Sequence, residues 1–251
     1  MKSSSPRVRV ETGAKRVRAL LAGETIADTT RVQLVWEKPH YPTYYIPAED
    51  VRTDLLVDTG EVSHSPSRGD SRMLSVKLGD REAPLAAQWY ADTPVEGLEG
   101  TIRLDWPAMD AWFEEDEEVY VHPRDPYKRI DVLQSSRHVR VAVDGYTVAD
   151  SRQPRILFET GLPPRFYLPK PDVRMDLLSP TPTTTQCPYK GTAQYYAVEV
   201  GGATHPDLAW WYPHPTPESA KIAGYLCFYD ERVDTYLDEV LQERPRTPFA
   251  R

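Results

Sequence analysis

The chain has 251 residues, and its 38 acidic against 30 basic side chains give a net charge of −8, which argues against a main role in gripping nucleic-acid phosphates or an anionic membrane. Two cysteines with no CxxC pair, and no histidine cluster at zinc spacing, exclude a disulfide scaffold and a structural zinc; no metal or cofactor is expected. No apolar run approaches the ~20 residues of a membrane helix and the opening MKSSSPRVRVE lacks a secretory apolar core, so the expectation is a soluble, cytoplasmic protein.

Residues 1–14 are polar and basic without periodicity and read as a mobile arm or a strand that pairs late. From Lys15, KRVRALLAGETIADTTRVQLVWE predicts a strand, a turn at Ala22 and Gly23, a second strand, and a third ending at Trp36 and Glu37. The same text returns 122 residues later as RHVRVAVDGYTVADSRQPRILFE, which brings Gly23 onto Gly145, Asp28 onto Asp150 and Glu37 onto Glu159. The register holds through Tyr45/Tyr167, Arg52/Arg174, Leu56/Leu178 and Tyr90/Tyr212, after which two extra residues bring Gly100 opposite Gly224. A period this long is a duplicated domain rather than a solenoid repeat.

The predicted organisation is a first repeat over 15–120, a Pro- and charge-rich linker over 121–136, and a second repeat over 137–241. Short Val, Thr and Tyr runs between Gly and Pro make each repeat all-β. One short amphipathic helix is expected to close each copy, starting at Pro107 in the first and spanning 231–241 in the second, where Val233, Tyr236, Leu237 and Val240 form the apolar stripe. The acidic run 114–118 then sits at a helix C-terminus, opposes the dipole and frays into solvent, as does the tail 242–251.

The most unusual chemistry lies in QCPYKG, residues 186–191, where Pro188 and Gly191 specify a tight turn around Cys187, Tyr189 and Lys190. A cysteine whose thiolate is favoured by a nearby ammonium is a nucleophile, which makes Cys187 the catalytic candidate with Lys190 as helper; the plain alternative is a small residue packing a turn. Glu37 and Glu159 each follow an aromatic residue at a strand end, as acid, base or ligand anchor, or as caps of turn amides. Tyr167, Tyr189, Tyr196 and Trp211 belong to a second copy rich in aromatics, the material of a small-molecule site and equally of a β core. Opposite Cys187, Tyr189 and Lys190 the first copy has Ser65, Ser67 and Arg68, so it keeps a cation but loses the thiol and the phenol. The second copy is therefore expected to hold the fuller site, and His64 beside Ser65 lacks the elbow and ordered acid of a serine hydrolase.

RVAVDGYTVADS, ETGLPPRFYLPKPDVRMDLL, TQCPYKGTAQYY and GYLCFYDERVD, in that order, resemble the family known as domain of unknown function 427 in a tandem two-copy form. The resemblance covers nearly all of the second copy and continues more weakly across the first. It implies a β-tent-like fold, two antiparallel sheets leaning on each other, similar to the domain by which cereblon binds thalidomide, and it implies no reaction. A nucleotidyltransferase label attached to that family finds no Gly-Ser turn followed by paired aspartates here.

The favoured reading is a module that holds a small molecule between the sheets of the second repeat, oriented by Lys190 and Glu159 and walled by Tyr167, Tyr196 and Trp211. Alternatives are a thiol-dependent enzyme using Cys187, and an interaction scaffold in which the two repeats pair about a pseudo-twofold axis.

Overall fold

The structure is a computed structural model describing residues 8–247, and the chain divides into two compact units with the boundary between Asp125 and Pro126. In the first unit, β1 (Arg9–Thr12), β4 (Gln33–Lys38), β5 (Tyr41–Pro47), β9 (Thr101–Leu104), β8 (Arg81–Tyr90), β7 (Gly69–Leu78) and β6 (Leu56–Ser65) lie side by side in that order. A smaller sheet runs β11 (Glu117–Glu118), β10 (Ala111–Glu114), β2 (Val17–Leu21) and β3 (Glu24–Thr29). The second unit repeats both. Its large sheet is β12 (Ile130–Gln134), β15 (Arg155–Glu159), β16 (Arg165–Pro169), β20 (Tyr225–Phe228), β19 (Ala203–Trp211), β18 (Gly191–Val200) and β17 (Leu178–Cys187). Its small sheet is β14 (Tyr146–Ser151), β13 (Val139–Val143), β21 (Asp234–Leu237) and β22 (Val240–Leu241). All neighbours are antiparallel, so the chain is all-β with four sheets in two tandem halves.

Alternation drives this arrangement. Val17, Ala19 and Leu21 of β2 turn inward and pack on Ile46, Val76, Ala87 and Ile102 of the large sheet; Val139, Val141, Leu168, Val198, Leu226 and Phe228 do the same in the second unit. The β2–β3 turn is at Ala22 and Gly23, both with positive φ, and Asp144 and Gly145 repeat it, the geometry that matches strand twist in a two-residue hairpin. The large sheets also bury part of their other face, with Val35, Tyr45, Tyr90 and Leu98 in one unit and Leu157, Tyr167, Tyr195, Trp210, Tyr212 and Cys227 in the other.

The expected closing helices are strands. Pro107 does lie in a helical turn, but only the three-residue 3-10 turn Trp106–Ala108, of which it is the second residue. Beyond it, burial alternates along β10, where Trp112 and Glu114 are buried between the half-buried Ala111 and Phe113, and along β21, where Thr235 and Leu237 are buried between Asp234 and Tyr236. A short apolar run is ambiguous by periodicity alone; β2 and β13 each lack a partner on one edge, and pairing with β10 and β21 supplies it. The acidic run does not fray: Glu114 is buried and accepts from the Tyr44 hydroxyl at 2.6 Å and from Lys15 Nζ at 2.6 Å, while Glu115 turns the hairpin with φ +52°. In the second copy Phe166 and Leu237 occupy those places, so the polar contact is confined to the first.

The stretch read as a linker contains β12, which pairs with β15, and the stretch read as an arm contains β1, which pairs with β4 in the same way. The remaining parts of the arm and tail, residues 1–7 and 248–251, lie outside the described residues. Within the described tail, Arg244 bonds Asp234 at 2.9 Å and the Thr247 hydroxyl bonds Glu231. No helix of the described residues is long and apolar enough to cross a membrane.

Candidate functional site

The hairpins that carry the sequence's sharpest motif are alike. Cys187 pairs with Gly191 and Ser65 with Gly69; the amides of Lys190 and Arg68 donate to the Cys187 and Ser65 carbonyls at 3.3 Å; and each glycine has positive φ. This is a turn of αR character closed by a glycine bulge, for which Pro at the first turn position and Gly at the last are the fitting residues. A Cβ at Gly191 would also be crowded, standing 3.0 Å from the His214 carbonyl oxygen.

Each hairpin delivers a cation to the glutamate near the end of β4 or β15. Lys190 Nζ bonds Glu159, both nearly buried, and Arg68 Nη2 lies 3.3 Å from Glu37. Glu37 also accepts from the Tyr45 hydroxyl at 2.8 Å, helped by a register shift between Val35 and Lys38 that re-aims the strand end. The positions equivalent to Tyr45 and Tyr90 are Tyr167 and Tyr212, and burial pushes the hydroxyls of Tyr45, Tyr167 and Tyr212 well above the usual phenol range, so they remain donors.

Other expected site residues separate from this group. Tyr196 and Trp211 lie on the opposite face of the large sheet, where Lys170 Nζ sits 3.3 Å from the Trp211 ring centroid and 5.8 Å from that of Tyr196. Successive strand residues point to opposite faces, so Trp210, not Trp211, shares a side with Tyr167, donating its Nε1 hydrogen to that hydroxyl at 3.3 Å. Tyr189 contributes its carbonyl, which accepts from Thr216 at 2.5 Å and Ser219 at 3.1 Å. Cys187 is partly exposed and free, whereas Cys227 is fully buried and its thiol is pushed up by burial. Alkylation of the native full chain is expected to modify Cys187 alone, and both thiols once denatured; native modification of Cys227, read by peptide mass spectrometry, would contradict its placement. His64 is bound to Asp70 at 2.6 Å and Ser65 lies 3.3 Å from Ser67, so the two make no nucleophile–base pair. The space between the second unit's sheets, where a ligand was expected, is filled by its hydrophobic core.

An open cleft beside Glu37 is present in the first unit. There β5 pairs with β9 only at Ile46↔Ile102 and Pro47↔Thr101, after which the strands part. The cleft is a cavity of about 210 Å³, well above the ~15 Å³ that one water needs. Tyr41, Tyr44, Trp106 and Trp112 line its apolar side, and Glu37, Lys38, Arg103 and Asp105 line its polar side. The indoles of Trp106 and Trp112 stack with centroids 4.7 Å apart and planes at 8°, a rigid floor.

In the second unit the same cleft is occupied. Pairing runs one residue further, to Tyr167↔Cys227. Equivalent hydrogen bonds, Asp105 to Ala86 and Tyr229 to Leu208, place Asp230 opposite Trp106 and Glu231 opposite Pro107. Strand registers place Arg165 opposite Thr43 and Thr235 opposite Trp112. Arg165 grips Glu231 with two bonds of 2.7 and 2.5 Å, and Asp230 accepts from Thr235 at 2.7 Å. Burial raises the Asp230 carboxyl to about 6 against the lowering pull of Thr235 and Arg165; burial also opposes ionisation of Glu231, but there the bonds from Arg165 and Thr247 win and hold it below the ordinary value. Sequence reasoning did not single out Arg103, Arg165, Asp230 or Glu231. For Arg165 and Glu231 the signal was their exchange for Thr43 and Pro107 between the copies, a neutral pair replaced by an ion pair.

A family model described as domain of unknown function (DUF427) matches residues 9–115 and again 131–239. The chain belongs to the DUF427 family, in tandem form. No curated protein matches it. The two DUF427 copies therefore share a hairpin cation on a strand-end glutamate, and differ in whether the adjoining cleft is open. Among the described residues no group of three or more His, Cys, Asp and Glu is placed to hold a metal ion.

Proposed function

We propose that this DUF427 protein binds a small organic molecule, and that the binding site is the cleft between β5 and β9 of the first copy. The observation that carries the reading is the contrast between copies: one cleft is a cavity of about 210 Å³ with an aromatic wall and a polar rim, and its twin is closed by Arg165 and Glu231. Concave sites with apolar walls and a few fixed polar groups are where small ligands bind. Stacked indoles already held by the core lose little freedom when a flat ligand covers them, which favours binding. In the second copy Glu159 and Lys190 hold each other, and the thiol-dependent reading draws less support because the ammonium meant to assist Cys187 is engaged by that carboxylate.

The test transplants the second copy's closure. A fragment library is screened against the full chain by ligand-observed NMR, then against Thr43→Arg/Pro107→Glu. Fragments that bind the unmodified chain are expected to lose binding in the variant, with hydrogen exchange confirming that the first unit remains folded. Hits that persist place binding elsewhere, and a screen without hits removes the reading.

A further inference from the structure

We infer that the ligand of the first copy's cleft carries a carboxylate on a flat ring, and that Arg103 is the residue that receives the carboxylate. The inference rests on the cleft being the binding site and names the chemistry it accepts.

Arg103 is an under-used guanidinium. Of its five N–H donors, one reaches Gln88 Oε1 at 3.4 Å; its Nε is shielded from solvent with no hydrogen-bond partner, 3.6 Å from Glu37 Oε1. Glu37 cannot serve it well, because its oxygens are taken by the Tyr45 hydroxyl at 2.8 Å and by Arg68 at 3.3 Å. With Glu37 neutralised by Arg68, the remaining charged lining groups are Lys38 and Arg103 against Asp105, a balance that favours an incoming anion.

The second copy supplies the precedent between two of its own side chains. In its closed cleft a guanidinium, Arg165, is satisfied bidentately by the Glu231 carboxylate, which stands where the first copy has Pro107 at the cavity lining. Arg165 also lies over the Trp210 ring at 5.6 Å. The first copy presents a guanidinium and an aromatic wall in the same cleft, and has Pro107 where the second copy supplies the Glu231 carboxylate. Planar two-point recognition of a carboxylate is what arginine does best, and the stacked pair of Trp106 and Trp112 fits a ring behind it.

The experiment compares shape-matched twins that differ in charge on the full chain: benzoate, nicotinate and indole-3-carboxylate against benzamide, nicotinamide and indole-3-carboxamide, with affinities from NMR titration. At least one carboxylate is expected to bind about tenfold or more tightly than its amide, and Arg103→Gln to remove that preference while Arg103→Lys keeps part of it. The carboxylate-to-amide ratio on the unmodified chain stands even if Arg103→Gln fails to fold. Twins that bind equally and are both expelled by Thr43→Arg/Pro107→Glu overturn the carboxylate while leaving the cleft as the site. No binding by any of the six, alongside a blank fragment screen, overturns both.

Discussion

Arg165→Ala is expected to cost the second unit about 3–5 kcal/mol at pH 8, the usual penalty for removing one partner of a buried ion pair. The side chain of Glu231 is 0% exposed and that of Arg165 11%, so removing the guanidinium strands a carboxylate with no solvent to turn to. Asp230, 3.4 Å from Arg165 and equally shielded, loses its nearest cation too. The deficit is expected to shrink as pH falls, because without Arg165 both carboxyls take up protons more readily and a neutral acid is cheaper to bury. Arg165→Lys keeps the charge but not the two-pronged grip on Glu231, and should lie between the two. Hydrogen exchange read on peptides within 137–241 measures the loss where it occurs. A deficit under about 1 kcal/mol would mean the pair behaves like a surface salt bridge and does not seal the cleft.

That seal also marks how far the sequence carries. The duplication was legible because strand-and-turn text repeats residue for residue, and the hairpin around Cys187 was legible because Pro188 and Gly191 each encode a backbone angle. Neither depends on what lies across the sheet. The closing strands were misread because WFEE and TYLDE carry too few apolar residues to separate a period of two from one of 3.6; the missing edge partner of β2 and β13 decides, and that is a tertiary fact. Burial of Glu114 was hidden for the same reason, since its stabilising hydroxyl, Tyr44, is 70 residues away. Tyr196 and Trp211 were assigned to the site because both are aromatic, yet the period of a strand already sends Trp210 and Trp211 to opposite faces, and which face is which follows from packing across the sheet, where Trp210 meets Tyr167. A cleft is harder still. It exists because β5 and β9 stop pairing after two residue pairs, and no residue type encodes where two distant strands part.

Asp230→Asn is expected to stabilise the second unit by about 2–3 kcal/mol at pH 8 and to have no effect below about pH 4. The Asp230 carboxyl is raised from an ordinary 3.8 to about 6, with burial as the main cause. Between those values the folded chain holds a proton that the unfolded chain has released, so stability falls as pH rises through the window and the full penalty is present above it. Asparagine removes the charge while its side-chain oxygen still accepts from Thr235, and Arg165 keeps the two bonds it donates to Glu231. Glu231 works in the other direction: held below its ordinary 4.5, it adds stability that is present above that value and lost only as pH falls below it. The two carboxyls thus act in adjoining windows, which lets one titration separate them. Urea unfolding of the full chain and the variant from pH 4 to 8 should give second-unit stabilities that coincide at the acid end and diverge toward the alkaline end, with the variant higher. Parallel curves, or a variant weaker at pH 8, would show that Asp230 is stabilised as an anion by Arg165 and that the closed cleft holds both carboxylates charged.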